Sequence, residues 1–548
     1  MQALKHFTLE GQIVDVVNQR IISGVIEVED GRIKRIKERA VNESHYILPG
    51  FVDAHVHIES SMLVPSEFAR VAVTHGTIAV VSDPHEIANV LGVEGVKFMI
   101  ENGKKVPFKF YFGAPSCVPA TKYETSGASL GPSDVEKLLA LPDVNFLTEM
   151  MNYPGVISKD SQVMKKLEIA KKAGKPIDGH APGLSGDDLQ QYIDSGISTD
   201  HEASTFEEAF EKIQRGMKII IREGSAARNF DTLSSLIQEY PAMVMMGADD
   251  LHPSDLLQGH VNVLVKRALA LGYDVFRVIR AATYNPVKHY NLKVGLLQPG
   301  DPADMMVVNN LSDFKIKEVF IDGIKVSESG SCLVPPVPIQ RPNRFRSGLV
   351  RPSDFVVKAE GRHMRVIKAY DGQLSTTAIS VHPNVIGGEV VVDLDNDILK
   401  IAVINRYQND APPFTAFVQG FGLKRGAMAS TVAHDSHNII VVGTNDEDMA
   451  RAVNAVIEVK GGISVADKSD VFILPLPVAG LMSDMDGQTT ARRFQLMEQF
   501  ILSWGSNLKA PFMTLSFMAL LVIPELKISD KSLFDGTNFA YVPLFIEM

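Results

Sequence analysis

Between residues 50 and 286 the chain alternates short apolar runs with amphipathic stretches, and this repetition constrains the fold more than any other feature. Runs such as TIAVVSD, VNFLTEM and KIIIREG are separated by segments of helical periodicity such as KDSQVMKKLEIAKKAG and TFEEAFEKIQRG. Strands that alternate with helices indicate a parallel sheet covered by helices. Because the stretch is close to the ~250 residues of a typical (β/α)8 barrel, we predict an α/β fold built on that barrel.

Two β-rich segments flank the predicted barrel. Residues 1–49 alternate apolar and polar positions around Asp-Gly turns, and residues 287–335 return to β character. These two segments can pair into one small composite β domain beside the barrel. After the Pro-rich linker SCLVPPVPIQRPNRF, residues 345–548 are expected to form an additional C-terminal unit, α/β or α+β. Its helix candidates are NDEDMARAVNAVIEVKGG and a segment around ARRFQLMEQFILSW.

Charge and cysteine content exclude several classes of protein. The 548 residues carry a formal net charge of -11 and show no long basic run, which argues against a nucleic-acid partner. The two cysteines, Cys117 and Cys332, supply neither a disulfide framework nor a CxxC metal site. The segment MQALKHFTLEGQIVDVV lacks the apolar core of a signal peptide, and FMTLSFMALLVIPEL is too short to span a bilayer. We therefore expect a cytoplasmic protein without a membrane partner, and a homodimer.

The first candidate site is the pair His55 and His57, which directly follows the apolar run ILPGFVDA. On a strand, residues i and i+2 project to the same face, so the two imidazoles converge at the end of the strand. Such a pair is a ready set of metal ligands. An isolated HxH is also compatible with two half-buried polar histidines in a loop.

Further ligand types end later apolar runs of the predicted barrel, namely Glu149, His180, His201 and Asp249. The carboxyl ends of barrel strands meet on one face, where these side chains would share a metal centre. His55, His57 and Asp249 would hold one divalent ion. His180 and His201 would hold the other, and Glu149 would bridge both. Two such ions can share a hydroxide and lower its pKa towards about 7. Nitrogen and oxygen ligands suit Mn, Fe or Zn, and the order of ligands along the chain does not choose between them.

Longer motifs around these residues resemble the adenine deaminase family of the amidohydrolase superfamily. They are PGFVDAHVHIESS, SDPHEIANVLG, TEMMNYPGVI, DGHAPGLSG, STDHE, GADDLHPSDLL, AHDSHNIIVVGTNDEDMA, LPLPVAGLMSD and PFMTLSFMAL. The resemblance covers nearly the whole chain. HxH alone marks only the superfamily, whereas DPHEIANV together with AHDSHNIIVVGTN is far more specific.

The resemblance implies an amidohydrolase-type barrel, a binuclear metal centre and a metal-dependent C–N hydrolase that acts on a cyclic amidine. The expected reaction converts adenine and water to hypoxanthine and ammonia, with a metal-bridged hydroxide attacking C6, as a step of purine salvage. Mn²⁺ is the first expectation for both ions, with Fe²⁺ or Zn²⁺ as alternatives. Many related enzymes bridge their metals with a carboxylated lysine. No lysine stands at this strand end, which agrees with Glu149 as the bridge.

The second candidate site is Asp83-Pro84-His85-Glu86, which follows TIAVVS. Deamination needs an acid that protonates the ring nitrogen and a proton carrier to the leaving amine. Glu86, Asp83 and His85 can share that work as catalytic residues, and Asp249 would accept a proton from the bridging water. In the alternative reading, Asp83 and Glu86 cap the next predicted helix, IANVLGVEGVKFMIENG.

Several assignments stay open. A one-residue shift of the strand end would exchange Asp249 and Asp250, and we favour Asp249 as the ligand and Asp250 as a substrate contact. His252 is a further candidate contact. The segment His434-Asp435-Ser436-His437-Asn438 offers three possibilities. It could fold over the barrel mouth so that His434 and His437 contact the purine or a ligand, form a separate metal site, or be a polar turn.

Competing functions follow from the same residues. Another amidohydrolase that acts on a cyclic amide or an N-acyl substrate would use the same metal ligands, but DPHEIANV and the matching C-terminal segments speak against it. A relative that has lost catalysis would be expected to lose ligands, and all the expected ligand types are present. A zinc deaminase of the cytidine type needs a P-C-x-x-C motif, which this chain lacks.

Overall fold

The computed structural model describes residues 5–546. Its strands are β1 (His6–Asp15), β2 (Arg20–Glu29), β3 (Arg32–Glu38), β4 (Tyr46–Pro49), β5 (Phe51–Val56), β6 (Thr77–Ser82), β7 (Lys109–Ala114), β8 (Val144–Met150), β9 (Ile177–Gly179), β10 (Thr199–Asp200), β11 (Lys218–Arg222), β12 (Val244–Gly247), β13 (Met305–Val308), β14 (Ile316–Ile321), β15 (Ile324–Glu328), β16 (Ser331–Cys332), β17 (Val357–Lys358), β18 (His363–Lys368), β19 (Thr377–Val381), β20 (Asn384–Ile386), β21 (Glu389–Val391), β22 (Ile398–Ile404), β23 (Phe414–Gln419), β24 (Ala427–Ser430), β25 (Ile439–Gly443), β26 (Gly462–Asp467), β27 (Asp470–Pro475), β28 (Leu526–Ile528), β29 (Leu533–Asp535), β30 (Ala540–Val542) and β31 (Phe545–Ile546).

The helices lie mainly between the strands of the first half of the chain. They are α1 (Pro65–Ala72), α2 (His85–Leu91), α3 (Val93–Gly103), α4 (Pro132–Leu139), α5 (Tyr153–Ile157), α6 (Ser161–Lys172), α7 (Gly186–Asp194), α8 (Phe206–Gln214), α9 (Phe230–Leu233), α10 (Leu236–Glu239), α11 (Pro253–Gln258), α12 (Val261–Ala270), α13 (Val275–Ala281), α14 (Tyr284–His289), α15 (Asp446–Glu458), α16 (Gly487–Ser503) and α17 (Pro511–Phe517). Short 3-10 helices span Ile58–Ser61, Val73–His75 and Pro352–Phe355. None of the helices among residues 5–546 is both long and apolar enough to cross a membrane.

Strands β5 to β12 form the predicted barrel, so the expected α/β fold is confirmed. They make two parallel sheets, β5-β6-β7-β8-β9 and β10-β11-β12. Backbone hydrogen bonds join the sheets at both seams: Ser198 N donates to Ile177 O over 3.0 Å, and Asp249 N donates to His55 O over 2.9 Å. The closed barrel explains why a strand such as β6 is mostly apolar and is buried along its whole length, because helices cover its outer face.

The two flanking β segments meet in one eight-stranded sheet of order β16-β15-β14-β13-β4-β1-β2-β3. Strand β4 joins them, because it pairs parallel with β1 and antiparallel with β13. Ile13, Ile26 and Ile47 from the first segment pack with Met305 and Phe320 from the second. The chain therefore leaves this sheet, builds the barrel and returns to it.

A nine-stranded sheet dominates the last part of the chain, in the order β19-β18-β23-β22-β25-β24-β26-β27 with β31 beside β18. Its pairs are antiparallel except for β18 with β23. Of the two arrangements left open by the sequence, this pairing is the one typical of α+β units. Helix α15 lies within its predicted segment, and the Asn445 side chain caps it by accepting from Asp448 N over 2.8 Å.

One predicted helix is divided in two. The segment IANVLGVEGVKFMIENG was expected to be continuous, but α2 ends before Gly92 and α3 begins after it. Gly92 has φ 65° and ψ -143°, a conformation that other residues rarely adopt. The break lets α2 stay short at the barrel mouth while α3 packs along the barrel side.

The buried carboxylate of Asp53 ties the last and first barrel strands together. Its Oδ1 accepts from His55 N and from Ala248 N, each over 3.1 Å. His260 Nε2 lies 2.8 Å from its Oδ2. Asp53 therefore holds the backbone next to two predicted ligands, His55 and Asp249.

Replacing Asp53 with Ala should destabilise the barrel, because two buried backbone donors lose their acceptor and the buried His260 loses the carboxylate beside it. We expect the free energy of unfolding to fall by about 3 kcal/mol, measured by denaturant unfolding followed by circular dichroism. The control is Asp395→Ala, which removes an exposed carboxylate. Equal stability of the two variants would contradict this role of Asp53.

Candidate active site

The six predicted metal ligands come together at the carboxyl end of the barrel. His55 lies in β5 and Glu149 in β8, while the others directly follow strands: His57 after β5, His180 after β9, His201 after β10 and Asp249 two residues after β12. All six are buried, and His180 is the most exposed at 7%. Side chains that are up to 194 positions apart in the chain thus share one small volume, as the barrel topology predicts.

His57 is held with one ring nitrogen aimed at the other ligands. Its Nδ1 lies 3.2 Å from the carbonyl oxygen of Asp83, which accepts a hydrogen bond only if Nδ1 carries the proton. Its Nε2 then presents a lone pair. That Nε2 lies 3.2 Å from His55 Nε2 and 3.3 Å from Asp249 Oδ1. Acceptors that face one another inside a protein are satisfied by a cation at their centre.

Glu149 faces two groups of histidines with its two oxygens. Oε2 lies 2.8 Å from His180 Nδ1 and 3.0 Å from His201 Nε2. Oε1 lies 3.5 Å from His57 Nε2 and 3.4 Å from His85 Nδ1. Burial by itself would raise the pKa of Glu149, but His180 and His201 outweigh it and lower the pKa well below its usual range. A carboxylate with one oxygen on each side is geometrically suited to bridge two ions.

Several ring nitrogens of this set have no hydrogen-bond partner among residues 5–546. They are His55 Nδ1, His180 Nε2 and His201 Nδ1. Several overlapping groups have ligand atoms close enough to hold a metal ion: His57, Asp83, His85 and Glu149; His55, His57 and Asp249; His55, Glu149 and His201; and His180, His201 and Glu202. The donor set therefore fits divalent cations, since it joins buried imidazoles to carboxylates without a thiolate.

The structure separates the residues of the Asp83 to Glu86 segment between the start of α2 and the site. Asp83 Oδ1 accepts from His85 N over 3.0 Å at the start of α2, which is the capping role. Asp83 Oδ2 also lies 3.1 Å from His85 Nδ1 and orients the ring. Glu86 instead points away from the helix terminus into the site, where its Oε1 lies 3.4 Å from His85 Nε2.

The loop 434–438 of the last domain lies over the barrel mouth. His434 Nδ1 is 2.6 Å from Glu86 Oε1, and His437 Nε2 contacts Glu86 Oε2. Asn438 Nδ2 donates to Thr125 O of the barrel over 2.8 Å. The loop is therefore not a free polar turn. A separate metal site remains compatible with the geometry, because Glu86, His434 and His437 also form a group able to hold an ion.

A buried arginine behind this loop holds its backbone. Arg406 is fully buried, and its Nη1 donates to the carbonyl of His437 over 3.3 Å. Its backbone N donates to Asn438 Oδ1 over 3.1 Å. Its Nη2 donates to the carbonyl oxygens of Arg344 and Ala479 and to Asn343, whereas its Nε has no partner among residues 5–546. The buried charge therefore holds the backbone around the loop through main-chain oxygens.

Two residues that were not predicted from the sequence, Glu202 and Arg222, lie beside the six predicted ligands. Glu202 Oε1 lies 3.5 Å from both His180 Nδ1 and His201 Nε2. Arg222, at the end of β11, donates to both oxygens of Glu202 over 2.5 and 3.0 Å and also contacts Asp249. The sequence features that could have pointed to them are the position of Arg222 directly after the apolar run KIII and the position of Glu202 next to His201.

Asp249 and Asp250 diverge at the end of β12. Asp249, with φ 58°, turns its carboxylate towards His55 and His57. Asp250 turns the other way, lines the cavity and accepts from Ser60 Oγ over 2.5 Å. His252 packs its ring against Phe494, with 4.6 Å between ring centroids, and is not among the residues that line the cavity. As a substrate contact, His252 stays a prediction.

The last domain closes the cavity above the ligands. Leu374, Phe517 and Leu520 form an apolar wall, which we call the roof, and Asp435 adds one carboxyl group to it. Burial raises the pKa of Asp435 to about 6, a rise that His85 opposes and Glu86 reinforces. The remaining lining residues are His57, His85, Glu86, Glu149, Met151, His180, His201, Glu202, Arg222, Asp249, Asp250 and His434. The site thus has a polar floor on the barrel and a largely apolar roof on the last domain.

Two family models match successive parts of the chain. Residues 46–326 match the model of the amidohydrolase family, and residues 373–540 match the model of the adenine deaminase C-terminal domain. A protein of Salinibacter ruber named adenine deaminase is 52% identical over 542 residues, which cover 99% of each chain. Proteins of the same name from a Sulfurovum species and from Methanosarcina mazei are 51% and 52% identical and cover 97% and 98% of this chain and 99% of their own. With both family models matched in order and these relatives aligned along nearly its whole length, the chain belongs to the adenine deaminase family of the amidohydrolases.

Proposed function

We propose that this chain catalyses the hydrolysis of adenine to hypoxanthine and ammonia. The observation that carries the proposal is the closed site itself, in which a buried ring of histidines and carboxylates on the barrel lies under the roof. The roof belongs to the segment that matches the adenine deaminase C-terminal domain. The relatives that align over almost the full chain carry the same name, which supports adenine as the substrate and water as the second reactant.

The proposed division of labour follows the predicted domains. The barrel of residues 50–286 supplies the ligand ring, and the unit of residues 345–548 supplies the roof and the loop that holds Glu86. The β domain of residues 1–49 and 287–335 supports the barrel from the side. We also propose that the protein acts in purine salvage, because it would convert one purine base to another. Its low cysteine content is typical of the cytoplasm, and twofold assemblies are the commonest oligomers, so we propose a cytoplasmic homodimer.

The ligand ring is proposed to hold two divalent cations. His55, His57 and Asp249 would hold one ion, His180 and His201 the other, and Glu149 would be shared, with Mn²⁺ first and Fe²⁺ or Zn²⁺ as alternatives. When bound, such a pair lowers the pKa of a shared water towards about 7 and so supplies a nucleophile at neutral pH. Glu202 lies close enough to His180 and His201 to be a further ligand of the second ion.

The chain's own side chains handle the protons of the reaction. As the oxygen of water adds to C6, Asp249 takes one proton from the water and the acid on the barrel gives one to a ring nitrogen. The C6–N bond then breaks as the new C6 hydroxyl gives up its proton to that acid and becomes the carbonyl of hypoxanthine. The amino group takes the proton that Asp249 holds and leaves as ammonia. Arg222 stabilises the ionised form of Asp249, and the pKa of Asp249 lies well below its usual range although burial opposes this.

His85 and Glu86 are the proposed proton donors and carriers. Asp83 contacts His85 Nδ1, so that Nε2 faces Glu86 and the cavity. An imidazole oriented by a buried carboxylate can pass protons between substrate and a second acid. His434 and His437 contact both oxygens of Glu86, and in this way the last domain fixes the acid on the barrel.

Activity should be tested first with purified protein loaded anaerobically with Mn²⁺ or Fe²⁺. Adenine, adenosine and cytosine are supplied separately, and ammonia release is measured with and without a chelator. We expect chelator-sensitive release from adenine alone. Release from adenosine or cytosine instead, or no release from any of them with two metals bound, would contradict the proposed function.

Replacing Glu149 with Gln should abolish activity and weaken metal retention, because a neutral amide bridges two cations poorly. We expect a loss of about 10²-fold or more in kcat and in metal affinity. The readouts are ammonia release and metal content after dialysis. Glu136→Gln, an exposed carboxylate on α4, is the matched control. A Glu149→Gln protein with normal metal content and turnover would rule out the bridging role.

Replacing Glu86 with Gln should lower kcat by about 10²-fold or more while metal content is unchanged, because a proton carrier is lost and the ligands are not. His434→Ala should reproduce part of this loss, since Glu86 Oε1 then lacks its contact from the last domain. The control is Glu94→Gln on the exposed face of α3. If metal is lost in Glu86→Gln, Glu86 is a ligand, together with His434 and His437.

A further inference from the structure

Asp435 is a buried carboxyl group with an unpaired oxygen. It is 3% exposed and lines the cavity. Its Oδ2 has no hydrogen-bond partner among residues 5–546, and the closest cationic group to its Oδ1 is His85 Nε2 at 3.9 Å. An unpaired buried carboxyl oxygen destabilises a fold, and its presence in a cavity is explained if a ligand supplies the donor.

The residues next to Asp435 in the loop already have partners elsewhere in the site. His434 and His437, one and two positions away, both contact Glu86. Ser436 contributes its carbonyl to a hydrogen bond from Tyr407 Oη over 2.6 Å. Asp435 is the carboxyl group of this loop that lines the cavity, together with the apolar Phe517 and Leu520. His434 lines it as well, and its Nε2 has no hydrogen-bond partner among residues 5–546, but its Nδ1 is held by Glu86.

The chemistry of adenine leaves one donor for such an acceptor. Neutral adenine carries two kinds of N–H: the exocyclic amino group and the single N–H of its imidazole ring. The amino group is the leaving group and lies at the ligand ring during the reaction. The imidazole N–H is therefore the donor available at the far side of the purine, which would face the last domain.

We propose that Asp435 accepts the imidazole N–H of adenine and makes the site selective for free purine bases over purines substituted at N9. This inference rests on the proposed function and extends it to substrate choice. A purine with carbon at N9 has no imidazole N–H to offer and leaves the carboxylate unpaired. Leaving a buried charged acceptor unpaired is a strong way to reject an analogue.

The test compares Asp435→Leu, which has a similar shape and no acceptor, with Asp435→Asn, which keeps one acceptor oxygen. The substrates are adenine and 9-methyladenine, and kcat and KM are measured for each. Calorimetric binding of adenine to the metal-free protein and thermal unfolding are the readouts that do not depend on turnover. Asp410→Asn, an exposed aspartate of the same domain, is the control.

We expect Asp435→Leu to lower kcat/KM for adenine about ten- to a hundredfold, mainly through KM, and to leave 9-methyladenine almost unchanged. Asp435→Asn should fall between this variant and the wild type. Thermal stability should stay the same or rise, since an unpaired buried carboxyl is removed. Adenine binding to the metal-free protein should weaken in parallel.

Other outcomes overturn the inference. If kcat falls equally for both substrates, Asp435 serves proton transfer through His85 rather than recognition. If stability falls as sharply as activity, its role is structural. Binding of adenine without turnover by the wild type would contradict the proposed function alone, whereas the absence of any adenine binding would contradict both proposals.

Discussion

Buried lone pairs and negative charges that face one another at the barrel mouth are the constraint on which the rest of this structure depends. His55 Nε2, His57 Nε2 and Asp249 Oδ1 lie within 3.2 to 3.6 Å of each other, and Glu149 adds two oxygens. Water is largely excluded there, so the mutual repulsion of these groups is weakly screened. Such a set is tolerable only with compensating positive charge, which divalent cations provide when bound and which Arg222 provides in part.

The surrounding scaffold is arranged to keep this set in place. Asp53 fixes the backbone of the first and last barrel strands beside His55 and Asp249. Asp83 orients His57 through its carbonyl and His85 through its carboxylate. Arg222 joins Glu202 to Asp249 across two strand ends. Each of these contacts limits the rotation of a side chain that must stay within hydrogen-bond or ligand distance of another.

The last domain has a comparable role from above. His434 and His437 contact Glu86, while the buried guanidinium of Arg406 donates a hydrogen bond to the backbone of their loop. Leu374, Phe517 and Leu520 separate the polar floor from solvent. Charged groups interact more strongly where water is excluded. A roof from the last domain therefore also strengthens the interactions between the charged groups of the barrel.

Much of this arrangement follows from the sequence alone. The alternation of apolar runs with helical segments predicted the barrel, because the period of buried positions reports the local structure directly. The ligand types could be found because barrel strands deliver their final residues to one face, so that His55, Glu149 and Asp249 were candidates from position alone. Glu202 and Arg222 were missed, since a charged residue near a strand end has the same local pattern whether it faces solvent or another charge.

The tertiary structure decided what depends on contacts between distant segments. It placed Glu86 against His434 and His437, 348 or more positions away, and it turned Asp249 towards the histidines and Asp250 away from them. Within the part of the chain that the structure describes, it also left Asp435 Oδ2 without a donor at the apolar roof. The local periodicity of the sequence determines which segments form strands and helices, and the residue types determine which side chains can bind a metal or carry a proton. The pairing of buried charges is set only when separate elements pack, because the cost of burial depends on which partner each charge meets.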